Sequence, residues 1–146
     1  MRKSELMTLW NVESWTVEPH GVYFVSRRLG TNRLENEAQA FQNLNISCTD
    51  YTEAEVLSLP MWEQLYVQLD KLDQLAQEII QKEIPQEESV VLTLTDIMLD
   101  KSGYYDAFAL GYDIGESPAG HLYVLVSFDE TLRLNKMMIM NLIELY

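Results

Sequence analysis

The spacing of apolar side chains changes from a helical to an extended period along this chain. Between residues 60 and 83, apolar residues recur every three or four positions, which is the spacing of one helix face. This stripe comprises Trp62, Leu65, Tyr66, Leu69, Leu72, Ala76, Ile79 and Ile80. Pro60 suits the first helical turn and Pro85 blocks propagation beyond the far end. The pattern predicts one long amphipathic helix, with Asp73 on its exposed side.

The segment before this helix combines extended and helical patterns. Residues 9–29 contain two runs rich in β-branched and aromatic residues, separated by a proline and a glycine. This composition predicts a β-hairpin. Residues 33–44 and 51–59 have the pattern of short helices, and Thr49 or Asp50 is the expected N-cap of the second.

After the acidic connector at 85–89, apolar and polar residues alternate, as expected of strands with one buried face. Four strands are predicted, at residues 90–99, 104–112, 121–128 and 132–140. The short connections favour an antiparallel meander, with a loop at 113–120. We therefore predict a single α+β domain over residues 1–146. Its antiparallel sheet comprises the N-terminal hairpin and the C-terminal four-stranded meander, packed against the long helix and one or two shorter helices.

Composition restricts the chemistry and the compartment. The chain is 47% hydrophobic, so it can bury a core, and it contains a single cysteine, Cys48. One cysteine excludes an intrachain disulfide and a cysteine-based zinc site. We find neither a signal-peptide pattern at the start nor an apolar run of membrane-spanning length. The expected protein is soluble, cytoplasmic and of bacterial character.

The charge is high and unevenly distributed. The net charge is −13, and because residues 1–33 carry +2, the rest of the chain carries −15. Such a field repels phosphate backbones, which argues against nucleic-acid binding, and it attracts a basic protein. The alternative is that the acidity only keeps the protein soluble.

Few residues suggest catalysis. His121 at the start of a predicted strand could act as a base or a metal ligand, but the only other histidine, His20, lies in the first hairpin. Asp129 is expected to accept a backbone hydrogen bond in a turn. Cys48 lacks a basic neighbour, and no phosphate loop or nucleophile elbow is present. We expect no catalytic residue, cofactor or metal; a metal-dependent enzyme using His121 and aspartates remains a third hypothesis.

Two further patterns have alternative interpretations. The segment "DKSGYYD" offers oxygen ligands at Asp100, Ser102 and Asp106, but a hairpin turn is the simpler interpretation than a calcium site. Aromatic residues favoured at interfaces are also common in cores. Those in question are Trp10, Trp15, Tyr23, Tyr104, Tyr105 and Tyr112.

Residues 90–140 contain three segments of a pattern found in small bacterial domains. These are "TDIMLDKSG", "AFALGYDIGE" and "GHLYVLVSFDETLRL". The pattern resembles the immunity proteins that accompany polymorphic toxins. The resemblance implies binding to a cognate toxin and supplies no catalytic residue.

The leading hypothesis is therefore a non-enzymatic acidic interaction protein that neutralises a basic toxin by blocking its active site. The carboxylates expected to contact the partner come from the long helix and the connector: Glu63, Asp70, Asp73, Glu87 and Glu88. The alternative is a small-ligand binding or regulatory domain with a pocket between sheet and helix. The apolar C-terminal segment also suggests a homodimer.

Overall fold

The computed structural model describes residues 1–29, 41–83, 92–117 and 120–141, and these form an α+β fold, as predicted. The helices in this part of the chain are α1 (Lys3–Leu9), α2 (Glu53–Ser58) and α3 (Trp62–Glu83). The strands are β1 (Val12–Glu18), β2 (Gly21–Leu29), β3 (Phe41–Thr49), β4 (Leu94–Asp100), β5 (Phe108–Ser117), β6 (Gly120–Phe128) and β7 (Leu134–Asn141). None of the described helices is long and apolar enough to cross a membrane.

All seven strands form one sheet, and their spatial order is their order in the chain. Neighbouring strands are antiparallel except β3 and β4, which are parallel. Parallel neighbours require a crossover, because the chain must return to the end at which the first strand began. Helices α2 and α3 lie in this crossover. The predicted all-antiparallel sheet is therefore wrong at its centre, where the hairpin and the meander are joined through β3.

Strand β3 is the largest correction to the predicted elements. Residues 33–44 were expected to be helical, but β3 begins at Phe41, while residues 30–40 lie outside the described part. Leu44 and Ile46 are buried whereas Asn43 and Asn45 are exposed, which is the period of a strand with one covered face. The polar residues of its exposed face leave Leu44, Ile46 and Cys48 as its buried apolar positions, and this short series does not distinguish a strand from a helix end.

Three element boundaries also differ from the prediction. The start of the expected first strand belongs to α1, and the expected 113–120 loop is mostly strand, since β5 continues to Ser117 and β6 starts at Gly120. The N-cap of α2 is Thr52, which forms a capping box with Glu55. Asp50 instead has a left-handed backbone with φ of 66° in the preceding turn.

The core lies between one face of the sheet and the helices. A single row of apolar side chains crosses the central strands in register, through Phe24, Ile46, Ile97, Leu110 and Val126. All three helices contribute buried residues to the same cluster, so they pack on the same face of the sheet. Each fully buried side chain of this size contributes about 2 kcal/mol to stability.

Helix α3 covers this face with the predicted stripe, with three differences. Tyr66 is 43% exposed and Ile79 is only half-buried, whereas Asp73 is buried. The prediction that Asp73 lies on the exposed side is wrong. Position 73 follows Leu69 by one turn and precedes Ala76 by three residues, so its spacing matched the buried stripe although its polarity did not.

Hydrogen bonds from a strand and from the helix compensate the burial of Asp73. The Tyr112 hydroxyl of β5 donates to Asp73 Oδ1 at 2.5 Å, and the Gln77 amide donates to the same oxygen at 3.0 Å. A buried carboxylate without such donors would be strongly destabilising. The contact therefore fixes where α3 sits on β5.

We predict that Tyr112→Phe lowers the free energy of unfolding by about 1–3 kcal/mol, because it removes a donor to a buried carboxylate. Urea denaturation measures the change. Tyr66→Phe is the matched control, since Tyr66 is 43% exposed, and its expected effect is below about 0.5 kcal/mol. Equal effects of the two substitutions would contradict the role of the Tyr112 hydroxyl.

A second hydrogen-bonded cluster lies on the other face of the sheet. A bulge between Leu94 and Asp96 inserts Thr95, whose hydroxyl donates to Asp96 Oδ2 at 2.7 Å. The Tyr123 hydroxyl donates to the same carboxylate. Burial, followed by this hydrogen bond, raises the pKa of Tyr123. The phenol ring of Tyr123 lies so close to Gly111 that a Cβ added there would overlap the Tyr123 hydroxyl oxygen.

Gly111→Ala is accordingly expected to destabilise the fold by about 1–3 kcal/mol through overpacking, although alanine is otherwise preferred over glycine within a strand. Introduced into a Tyr123→Leu background, the same substitution should be nearly neutral. A double-mutant cycle in urea measures the coupling. The close approach would be disproved by a Gly111→Ala protein as stable as the parent.

Candidate functional site

The parallel pairing of β3 and β4 brings acidic residues and tyrosines from distant segments to one end of the sheet. Thr49 pairs with Asp100 and also with Gly21, which in turn pairs with Glu18. The Asp50 amide donates to the His20 carbonyl at 2.8 Å, which joins the first hairpin to the end of β3. We call this region the acidic sheet end; it comprises Glu18, Tyr23, Asp50, Tyr51, Asp100, Tyr104, Tyr105 and Asp106.

The turn after β4 is held by local hydrogen bonds. Asp100 Oδ1 accepts the Ser102 amide at 2.9 Å, and the Asp100 carbonyl accepts the amide of Gly103, whose φ is 83°. The Asp106 amide donates a hydrogen bond to the Gly103 carbonyl at 3.0 Å, which closes the turn. This geometry supports the turn interpretation of "DKSGYYD". Nowhere in the described ranges do three or more His, Cys, Asp or Glu residues form a potential metal site.

Several carboxylates of the acidic sheet end have no cationic partner in the part of the chain that the structure describes. Glu18 Oε2 lies 3.0 Å from His20 Nε2, and Lys101 is paired with Glu55 of α2. Among the described residues, no cationic group lies within ion-pair distance of Asp50, Asp100 or Asp106. Asp50 and Asp106 are exposed and Asp100 is half-buried. The region therefore presents to solvent three carboxylates that form no ion pair with the described residues.

Burial and neighbouring carboxylates raise the pKa values of Tyr23 and Tyr105. Partial burial raises the pKa of Tyr23, and the carboxylates of Glu18 and Asp50 raise it further. Burial is also the largest cause of the raised pKa of Tyr105, with Asp100 next. Tyr104 packs against Tyr105 with ring centroids 4.9 Å apart, yet it is 62% exposed. An exposed aromatic ring among unpaired carboxylates can bind cationic groups.

The other aromatic residues named from the sequence have structural roles. Trp10 and Tyr112 are buried. Trp15 stacks on Phe24 with centroids 4.8 Å apart, and its indole N–H donates to Glu53 at 2.8 Å. The interface interpretation therefore fits the tyrosines of the acidic sheet end and not these three residues.

Of the five carboxylates predicted to contact a partner, the structure describes three, and one of these three is buried. Glu63 and Asp70 are exposed on α3, seven residues and hence about 10 Å apart along the axis. Asp73 is buried beneath the helix. Glu87 and Glu88 lie outside the described residues. The exposed side of α3 also carries Lys71 and Lys82, so its charges are mixed.

His121 and Asp129 lie at the two ends of β6, and the structure describes the side chain of Asp129 only. His121 pairs with Glu116 in the β5–β6 ladder, and its side chain is outside the described part. Asp129 Oδ1 accepts the Thr131 amide at 2.8 Å, as predicted for a turn. Hydrogen bonds from the Thr131 hydroxyl and the Arg133 amide lower the pKa of Asp129. These hydrogen bonds give Asp129 a structural role in the turn, which accounts for an aspartate at this position without a catalytic role.

Cys48 is fully buried in β3, next to Tyr51 and the acidic sheet end. Burial raises the pKa of its thiol from 9.0 to about 12. The thiol is therefore protonated at neutral pH and cannot serve as a nucleophile at this site.

We predict that the thiol adds a pH dependence to stability. The protonated form is favoured in the folded state, so its contribution is complete below the unfolded pKa of 9.0 and is lost as pH rises towards about 12. From about pH 8 to about pH 10, the free energy of unfolding should fall by about 1 kcal/mol more in the parent than in Cys48→Val. Urea denaturation of both proteins measures the difference, and parallel pH profiles would contradict the prediction.

Comparison of the chain with family models, with curated proteins and with solved structures finds no match in any of the three.

Proposed function

We propose that this chain is a non-enzymatic acidic interaction protein that binds a basic protein through the acidic sheet end. The observation that supports this most directly is the set of three carboxylates without a described cationic partner, Asp50, Asp100 and Asp106, at the same end of the sheet as the 62% exposed ring of Tyr104. Tyrosines at the centre of an interface supply binding energy, and surrounding charges supply orientation and association rate.

The exposed side of α3 is the competing surface, and it is less suitable. Its exposed carboxylates share the helix with Lys71 and Lys82, which partly offset their charge. Two lysines lie on its exposed positions, whereas Lys101 at the acidic sheet end is already paired with Glu55. Charge complementarity to a basic partner is therefore greater at the acidic sheet end.

The more specific form of the proposal is an immunity protein. The net charge of −13 and the resemblance of residues 90–140 to immunity proteins of polymorphic toxins support it. A carboxylate-rich surface would dock over the basic active-site cleft of a toxin and exclude its negatively charged substrate. This mode of inhibition needs no catalytic residue in the inhibitor, because steric and electrostatic occlusion are sufficient.

Co-expression with the product of the neighbouring open reading frame tests the proposal, with survival and co-purification as readouts. The triple variant Asp50→Asn, Asp100→Asn, Asp106→Asn removes three charges, while asparagine retains an acceptor at position 100 and tolerates the left-handed backbone at positions 50 and 106. We expect about a tenfold loss of affinity for the partner, mainly through a slower and less salt-dependent association.

The matched control removes three exposed charges from α3 through Glu63→Gln, Asp70→Asn and Glu78→Gln. It should change affinity by less than about twofold, because general attraction alone is a weak effect at physiological salt. A loss of affinity for the partner that is confined to the control variant would instead assign the interface to α3. A neighbouring product that is harmless alone, or that kills despite co-expression, would contradict the toxin hypothesis.

A further inference from the structure

We draw no further inference here: the strongest candidate, the open groove between α1 and α3 lined by Met1, Ser4, Glu5, Thr8, Leu9 and Glu63, carries none because the carboxylate of Glu5 is paired with Arg2 and nothing in the described part of the chain shows what would occupy the groove.

Discussion

The parallel pairing of β3 with β4 is the constraint on which the rest of this structure depends. It obliges the chain to cross from one end of the sheet to the other between these strands, and α2 and α3 lie in that crossover. The helices therefore cover one face of all the central strands. The same pairing aligns the carboxyl ends of both strands, so Asp50 and Asp100 lie at the same end although 50 residues separate them. The positions of the core and of the candidate site therefore both follow from the parallel pairing of β3 with β4.

Polar groups locate these elements more specifically than the apolar contacts do. Apolar packing holds α3 to the sheet, but the hydrogen bond between Tyr112 and the buried Asp73 defines its position along β5. On the opposite face, Thr95, Asp96 and Tyr123 form a comparable cluster across a bulge. Asp50, Asp100 and Asp106 lie at the exposed end of the sheet, where contact with water reduces the energetic penalty of a charge that has no ion-pair partner among the described residues.

Local patterns in the sequence predicted α3, the first hairpin and the four C-terminal strands, because each has a clear period or a strong turn signal. They failed for β3, where Asn43 and Asn45 make the exposed face polar and few apolar residues mark the buried face. They also failed for Asp73, whose spacing was that of a core residue. The turn at Asp100 and the tyrosines after it were visible in the sequence. Their proximity to Asp50 and Glu18 was not, since it depends on a long-range parallel pairing that no local period encodes.

The register of β3 against β4 is the most direct test of this account, and backbone nuclear Overhauser effects measure it. The account predicts contacts between Ile46 and Ile97 and between Thr49 and Asp100. Contacts of Thr49 with Leu94 would indicate antiparallel pairing and would contradict it. In that arrangement, Asp50 and Asp100 would lie about 20 Å apart at opposite ends of the strand, and the acidic sheet end would not exist.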